Sequence, residues 1–196
     1  MHRRNILLIS LSLAFASPTI AAQWGEFRGT VRTEWLSDGR NMRLLSDFEY
    51  VDPIGTTWPA PTGTKIDGAS IPQVFWSFIG GPFEGKYRSA SVVHDYACQV
   101  RNRSWRLVHQ MFYAACRAGG VSELSSKVMY GAVYHFGPRW ADDAVRLLRD
   151  DADFLRMREY ITRNSKITLD AIEELTSNFL RELVRELPPP RRIPAS

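Results

Sequence analysis

The residues in this sequence best suited to chemistry are a few histidines and aspartates near its centre. His94 and Asp95 are adjacent in an apolar stretch, His109 follows them, and Asp67 precedes them in a segment rich in glycine and proline. Imidazole and carboxylate groups act as general bases and as metal ligands. We therefore predict a site made of His94, Asp95, Asp67 and His109, with the identity of any metal or other cofactor left open.

Two predicted helices position the histidines. The spacing of apolar residues predicts helices over 87–100 and 105–118, joined by a polar turn. In an antiparallel pair of this kind the two histidines differ in height by about two residues, or ~3 Å along the helix axis. The two rings therefore face each other if both point inward.

The two cysteines leave alternative sites open on the same helices. Cys98 lies one turn after His94, which permits a Cys–His dyad or a His-x3-Cys metal pair. The helix estimate separates Cys98 from Cys116 by roughly 13 Å, whereas a disulfide needs Cα atoms within ~7 Å. A disulfide, or a zinc site built from both cysteines and both histidines, would require strongly crossed helices.

Three other features have both a chemical and a structural interpretation. Ser70 can act as a nucleophile beside His94, but no Gly-x-Ser-x-Gly elbow is present and a serine before Ile-Pro is typical of a turn. The glycine-rich segment 80–85 can present backbone groups to an anion or a metal, yet it matches no phosphate-loop signature. A buried His–Asp pair can also serve only to orient the hydrogen bonds of the fold.

The segment before the helices has the pattern of β-structure. Residues 24–35 and 42–51 are β-rich and flank Asp38-Gly39, which is typical of a hairpin. Prolines and glycines divide 52–64 into short strands and turns, and the apolar run 74–79 predicts a short helix.

Further helices are predicted after the pair, over 122–136, 139–162 and 169–187. The last has a single apolar stripe that can fold onto the core, or dock a protein partner or a second copy. The fold class is therefore α+β: a small N-terminal antiparallel β-region followed by a helical half with an antiparallel pair carrying His94-Asp95 and His109. We divide the chain into an α+β domain over 23–140, C-terminal helices over 141–187 and a disordered Pro/Arg tail over 188–196.

The first 22 residues have the pattern of a secretory signal. A basic start is followed by an apolar run over 6–16 and by small residues before Gln23. That run is shorter than the ~20 residues of a membrane-spanning helix. We expect cleavage after Ala21 or Ala22, no transmembrane segment in the mature chain, and a periplasmic or secreted protein.

The charge balance argues against a nucleic-acid partner. The chain has 25 lysines and arginines against 21 acidic residues, a formal charge of +4. Arg3 and Arg4 lie in the predicted signal, so the remaining chain has a charge of only +2. Proteins that bind nucleic acid usually show a clustered basic excess. We therefore predict that this protein has no nucleic-acid partner.

Several motifs resemble the bacterial and phage family catalogued as domain of unknown function 1353. The resemblance covers roughly residues 27–140 and implies a shared fold but no known activity. In that family an acidic residue usually precedes the second-helix phenylalanine by three positions, and here His109 occupies that place, which argues against a metal site made of carboxylates. The matching motifs are Asp67-Gly-Ala-Ser-Ile-Pro72, Phe75-Trp76, Tyr87-Arg88, His94-Asp95-Tyr96 and Met111-Phe112.

A looser similarity is to the secreted phospholipases A2. In those enzymes a helical histidine activates water, the next aspartate holds calcium beside a glycine-rich loop, and a facing acid orients the histidine. Segment 80–85 and His94-Asp95 follow that order, so the similarity implies water activation by His94 and metal binding by Asp95. The sequence departs from those enzymes because their paired cysteines are absent and His109 replaces the facing acid.

Two hypotheses follow. The first is an exported hydrolase of an envelope ester or amide, with water as nucleophile. His94 would be the base, Asp95 a metal ligand or orienting group, and Asp67 and His109 would complete the site. The alternative is a non-catalytic envelope or phage-derived binding or structural protein with a structural His–Asp pair. A cleft shared by His94 and Asp67 would favour the enzyme, and a sealed, hydrogen-bonded His94 the alternative.

Overall fold

The computed structural model describes residues 23–67, 85–140, 148, 150–179 and 182. Several predictions therefore lie outside the described residues. Those wholly outside are the signal 1–22, Ser70, the short helix 74–79 and the tail 188–196. Those partly outside are segment 80–85 and the predicted helices over 139–162 and 169–187.

The β-region folds into two three-stranded antiparallel sheets. The first has the order β1-β4-β5 and the second the order β2-β3-β6. In chain order the strands are β1 (Glu26–Arg28), β2 (Thr33–Trp35), β3 (Met42–Leu44), β4 (Phe48–Val51), β5 (Thr57–Ala60) and β6 (Lys65–Ile66).

The predicted hairpin is confirmed, but each of its β-rich runs is divided between the two sheets. Strands β2 and β3 pair antiparallel around Asp38, whose Oδ1 accepts the N–H of Asn41 at 2.8 Å. The first run is interrupted at Gly29, which has φ +90° and lies so close to β4 that a Cβ would meet the Asp47 carbonyl oxygen at 2.8 Å. The chain changes direction there, and β1 pairs with β4 in the other sheet.

The first three helices lie close to their predicted positions. They are α1 (Arg88–Val100), α2 (Trp105–Ala118) and α3 (Glu123–Phe136). Ser104 begins α2 by accepting the N–H of Leu107 at 3.3 Å, and Ser122 begins α3 by accepting the N–H of Ser125 at 3.1 Å. Side-chain caps of this kind satisfy N–H groups that have no partner within the helix. The α+β class and the antiparallel helix pair are confirmed.

The C-terminal helices differ from their prediction. Helix α4 (Asp151–Arg163) begins at an Asp150 cap instead of at 139, since Asp150 accepts the N–H of Asp153 at 2.8 Å. Helix α5 (Leu169–Glu173) ends after five residues. The continuous helix over 169–187 is therefore wrong within the described residues, where Thr176 caps a new turn by accepting the N–H of Phe179 at 3.2 Å.

The start of the predicted stripe packs onto the core. Ile172 and Leu175 are both buried. Docking of a partner or a second copy through 169–187 stays a prediction. Within the described ranges, no helix combines the length and the apolar character needed to cross a membrane.

Helices α1 and α2 pack through a row of buried small and aromatic side chains. Phe112 of α2 is fully buried, and its ring centre lies 4.8 Å from that of His94 on α1. This contact sets the distance between the two helices at the height of the histidines.

We expect Phe112→Ala to lower the free energy of unfolding by about 3–5 kcal/mol, because it removes a fully buried ring and leaves a cavity. Leu107→Ala on the same helix is the matched control. Its side chain is 44% exposed, so we expect a change within about 0.5 kcal/mol. Denaturant unfolding of both variants measures the difference, and equal losses would contradict this account of the helix contact.

Candidate functional site

The four predicted site residues form two contacting pairs, drawn from three separate parts of the chain. Asp67 follows β6, His94 and Asp95 lie within α1, and His109 lies within α2. The N–H of Asp67 donates to Asp95 Oδ2 at 3.0 Å, and His94 Nε2 lies 2.9 Å from His109 Nδ1. The inward-facing histidines predicted from the helix offset are thus in direct contact.

The hydrogen atoms of the two imidazoles follow from their partners. His109 Nε2 lies 3.0 Å from the carbonyl oxygen of Pro138, and a carbonyl oxygen can only accept. Nε2 of His109 must therefore donate, which leaves the lone pair of a neutral ring on Nδ1. His94 Nε2 then donates to that Nδ1, and Nδ1 of His94 is left as an acceptor.

Both rings are fully buried, and burial is the main reason why they are neutral. Burial lowers the pKa of His94 well below its usual value, and the neighbouring His109 lowers it further. Burial also lowers the pKa of His109 to about 3, helped by the charge of Arg139 and opposed by the bond to Pro138. Neither ring carries a charge at pH 7.

Cys98 completes the cluster. Its Sγ lies 3.7 Å from Nε2 and 3.9 Å from Nδ1 of His94. Burial raises the pKa of this thiol, as do the charges of Asp95 and Asp67, while Arg101 opposes them. The thiol is therefore protonated at neutral pH, which makes it a poor nucleophile by itself.

The alternatives based on both cysteines are not what the structure shows. Cys98 and Cys116 are both buried and free, in line with their predicted offset along the helices. The metal-ligand group found among the described residues consists of His94, Cys98 and His109, whose ligand atoms lie within 4.8 Å of one another. Cys116 is not part of it, so a zinc site built from all four residues is not formed.

Aromatic rings form the wall behind the histidines. Phe112 stacks near His94, and the Trp105 ring centre lies 5.7 Å from that of His109. Arg139 lies over the outer part of this wall, 4.5 Å from the Trp105 ring centre. The wall excludes water from the imidazoles and strengthens the electrostatic interactions between them.

Sequence analysis missed the part played by Pro138. Its carbonyl oxygen is the group that fixes the hydrogens of His109. The available signal was the Gly137-Pro138 pair at the end of α3, since a helix end leaves carbonyl groups that need a donor. The sequence does not say which donor they will meet.

The part of the chain that contains this site is similar to a known family. Residues 42–133 match the family model described as "Protein of unknown function (DUF1353)", and the sequence resemblance is thereby confirmed. The matched part contains all four predicted site residues and Cys98. The similarity to secreted phospholipases A2 stays a prediction.

Two curated relatives come from Sinorhizobium fredii strain NGR234. The chain is 56% identical over 97 residues to "Uncharacterized protein y4jT", which covers 50% of this chain and 29% of that protein. It is 42% identical over 103 residues to "Uncharacterized protein y4iH", which covers 53% of this chain and 43% of that protein. The chain therefore spans less than half the length of either relative, and no solved structure matches it.

A third buried histidine, distant from the cluster in sequence, predicts acid sensitivity. His135 Nε2 donates to the Ile172 carbonyl oxygen at 2.7 Å, and burial lowers the pKa of this ring to about 4. The unfolded chain takes up this proton near pH 6.5, whereas the folded protein takes it up only near pH 4. Stability is therefore complete above pH 6.5 and falls as the pH drops toward 4, by up to about 3 kcal/mol for this residue.

Unfolding by urea at pH 7.0, 5.5 and 4.5 measures this effect. The lowered pKa of His109 also makes the free energy of unfolding decrease as the pH falls. In His135→Gln, whose amide can still donate to Ile172, we expect a smaller loss of stability between pH 7.0 and 4.5 than in the wild type. An identical pH dependence of the two proteins would show that His135 is not buried in its neutral form.

Proposed function

We propose that this protein is an exported hydrolase that uses water, assisted by a metal ion, to cleave an ester or amide of the cell envelope. The observation that supports it is that the four residues form two contacting pairs, His94 with His109 and Asp67 with Asp95, joined through adjacent positions of α1. Export rests on the sequence of residues 1–22 alone.

The geometry favours a division of roles between imidazoles and carboxylates. His94 and His109 are buried and bonded to each other, so they are better placed to hold an ion than to meet a substrate. Asp67 is the exposed member of the four, and we assign to it the acceptance of the proton from water. Asp95 positions Asp67 by accepting its backbone N–H.

A second function is favoured by one specific observation. His94 is sealed from solvent and hydrogen-bonded, while Asp67 is exposed, which is the arrangement expected of a structural His–Asp pair. In that case the protein is a non-catalytic binding or structural protein of the envelope, and the cluster only stabilises the helix pair.

Hydrolysis of chromogenic esters and of envelope-derived amides separates the two functions. For the enzyme, we expect Asp67→Asn to lower kcat by about 10²–10⁴-fold, the usual contribution of a general base. The variant keeps the bond to Asp95, which uses the backbone N–H of residue 67, and its melting temperature is measured alongside kcat to separate a loss of activity from a loss of stability. Asp170→Asn, at another exposed aspartate, is the matched control and should retain full activity. Absence of wild-type hydrolysis across the panel would favour the non-catalytic function.

Export is tested by expressing the whole chain in a Gram-negative bacterium and measuring the mass of the product in each fraction. We expect a periplasmic protein that lacks the first 21 or 22 residues, because the basic and apolar segments match a cleaved signal. A chain that starts at Gln23 is the control and should stay in the cytoplasm. An intact chain confined to the cytoplasm would contradict export.

A further inference from the structure

We infer that His94, Cys98 and His109 form a binding site for a zinc-type divalent ion, with Nε2, Sγ and Nδ1 as the respective ligand atoms. The inference adds Cys98 to the proposed site and specifies the atoms that hold the ion. Its role in catalysis rests on the proposed function. The binding itself does not.

Two of the three distances between these atoms are close to those of a tetrahedral zinc site. Zinc–nitrogen bonds of about 2.0–2.1 Å and zinc–sulfur bonds of about 2.3 Å separate two nitrogens by about 3.3 Å, and nitrogen from sulfur by about 3.5 Å. Here His94 Nε2 lies 2.9 Å from His109 Nδ1 and 3.7 Å from Cys98 Sγ. The ligand atoms of all three residues lie within 4.8 Å of one another, so binding of an ion would draw Cys98 and His109 toward a common centre.

His109 is already held in the form that a metal requires. Its Nε2 donates to the Pro138 carbonyl oxygen at 3.0 Å, which leaves on Nδ1 a lone pair that faces His94. A hydrogen bond from the second ring nitrogen to a carbonyl or carboxylate is the usual support of a metal-binding histidine. This bond is independent of the distances between the three ligand atoms.

The type of ligand selects the type of ion. Two imidazole nitrogens and one thiolate suit zinc and similar borderline or soft ions, whereas magnesium and calcium prefer oxygen ligands. Three protein ligands also correspond to catalytic zinc sites, in which water or substrate takes the fourth position. The described residues therefore supply the ligand number of a zinc hydrolase.

The proton and charge balance of binding is simple. Cys98 loses its thiol proton to solvent as sulfur binds the ion, and His94 remains neutral by carrying its hydrogen on Nδ1 instead of Nε2. The bound ion then adds two positive charges and the thiolate one negative charge. The carboxylates of Asp95 and Asp67, whose charges act on Cys98, offset the remaining positive charge.

The wild-type protein provides the first test. The full chain is stripped with a chelator, reloaded with Zn²⁺ or Co²⁺, and passed through a desalting column before its metal content is measured. We expect about one ion per chain and, with Co²⁺, the intense d–d bands of a tetrahedral site together with a sulfur-to-cobalt charge-transfer band. Less than one ion per ten chains would overturn the inference.

Matched variants assign the ligands. Cys98→Ala should abolish the sulfur-to-cobalt band and weaken Zn²⁺ binding at least tenfold, while Cys116→Ala, at the other buried free cysteine, should retain both. His109→Gln should weaken binding at least tenfold, while His135→Gln should not. Equal Zn²⁺ binding by Cys98→Ala and Cys116→Ala would overturn the assignment of Cys98 as a ligand. Circular dichroism first checks that each variant is folded under the conditions of the binding measurement, so a difference in stability does not affect the comparison.

The inference and the proposed function fail in different ways. A chain that binds one ion through these ligands but hydrolyses no substrate keeps the metal site and loses the hydrolase. A chain that hydrolyses substrate but retains less than one ion per ten chains after reloading keeps the hydrolysis and loses the metal site.

Discussion

The structure depends on one constraint, the need of two buried neutral imidazoles to satisfy their nitrogens without water. His94 meets it through His109, and His109 through the carbonyl oxygen of Pro138. These bonds join α1 to α2, and α2 to the segment that follows α3. An unsatisfied polar group in this position would cost about 1–3 kcal/mol, so the relative placement of the three segments is narrowly defined.

The same constraint explains why the site is both well positioned and difficult to reach. Phe112 and Trp105 exclude water from the rings, which keeps them neutral and keeps their lone pairs available. Neutral imidazole is the form of histidine that binds metals. The exposed Asp67 lies at the edge of this dry cluster, tied to it through Asp95. In the proposed function, the exposed Asp67 therefore accepts the proton from water, and the buried helix pair binds the ion.

Much of this arrangement was predictable because it depends on local sequence. The caps Ser104 and Ser122 mark where α2 and α3 begin, and Asp38-Gly39 marks the hairpin. Helix geometry predicted that the two histidines lie at nearly the same height, since the length of the turn fixes their offset. Their contact required in addition that both rings point inward.

The rest depends on contacts between residues distant in sequence. The bond from His109 to Pro138 requires the end of α3 to return to α2, and the division of the first β-run requires Gly29 to lie against β4. The break after α5 coincides with a new cap at Thr176, which a continuous apolar stripe does not reveal. Periodicity indicates that a face will be buried, but it does not say against which part of the chain.

The state of the two imidazoles can be measured directly by long-range ¹H–¹⁵N correlation NMR of the metal-free protein at pH 7. We predict that each ring has one protonated and one unprotonated nitrogen, with the hydrogen of His109 on Nε2, and that Zn²⁺ shifts the Nδ1 signal of His109. A doubly protonated His94 or His109, or a hydrogen on Nδ1 of His109, would contradict the buried neutral pair on which the fold and the site depend.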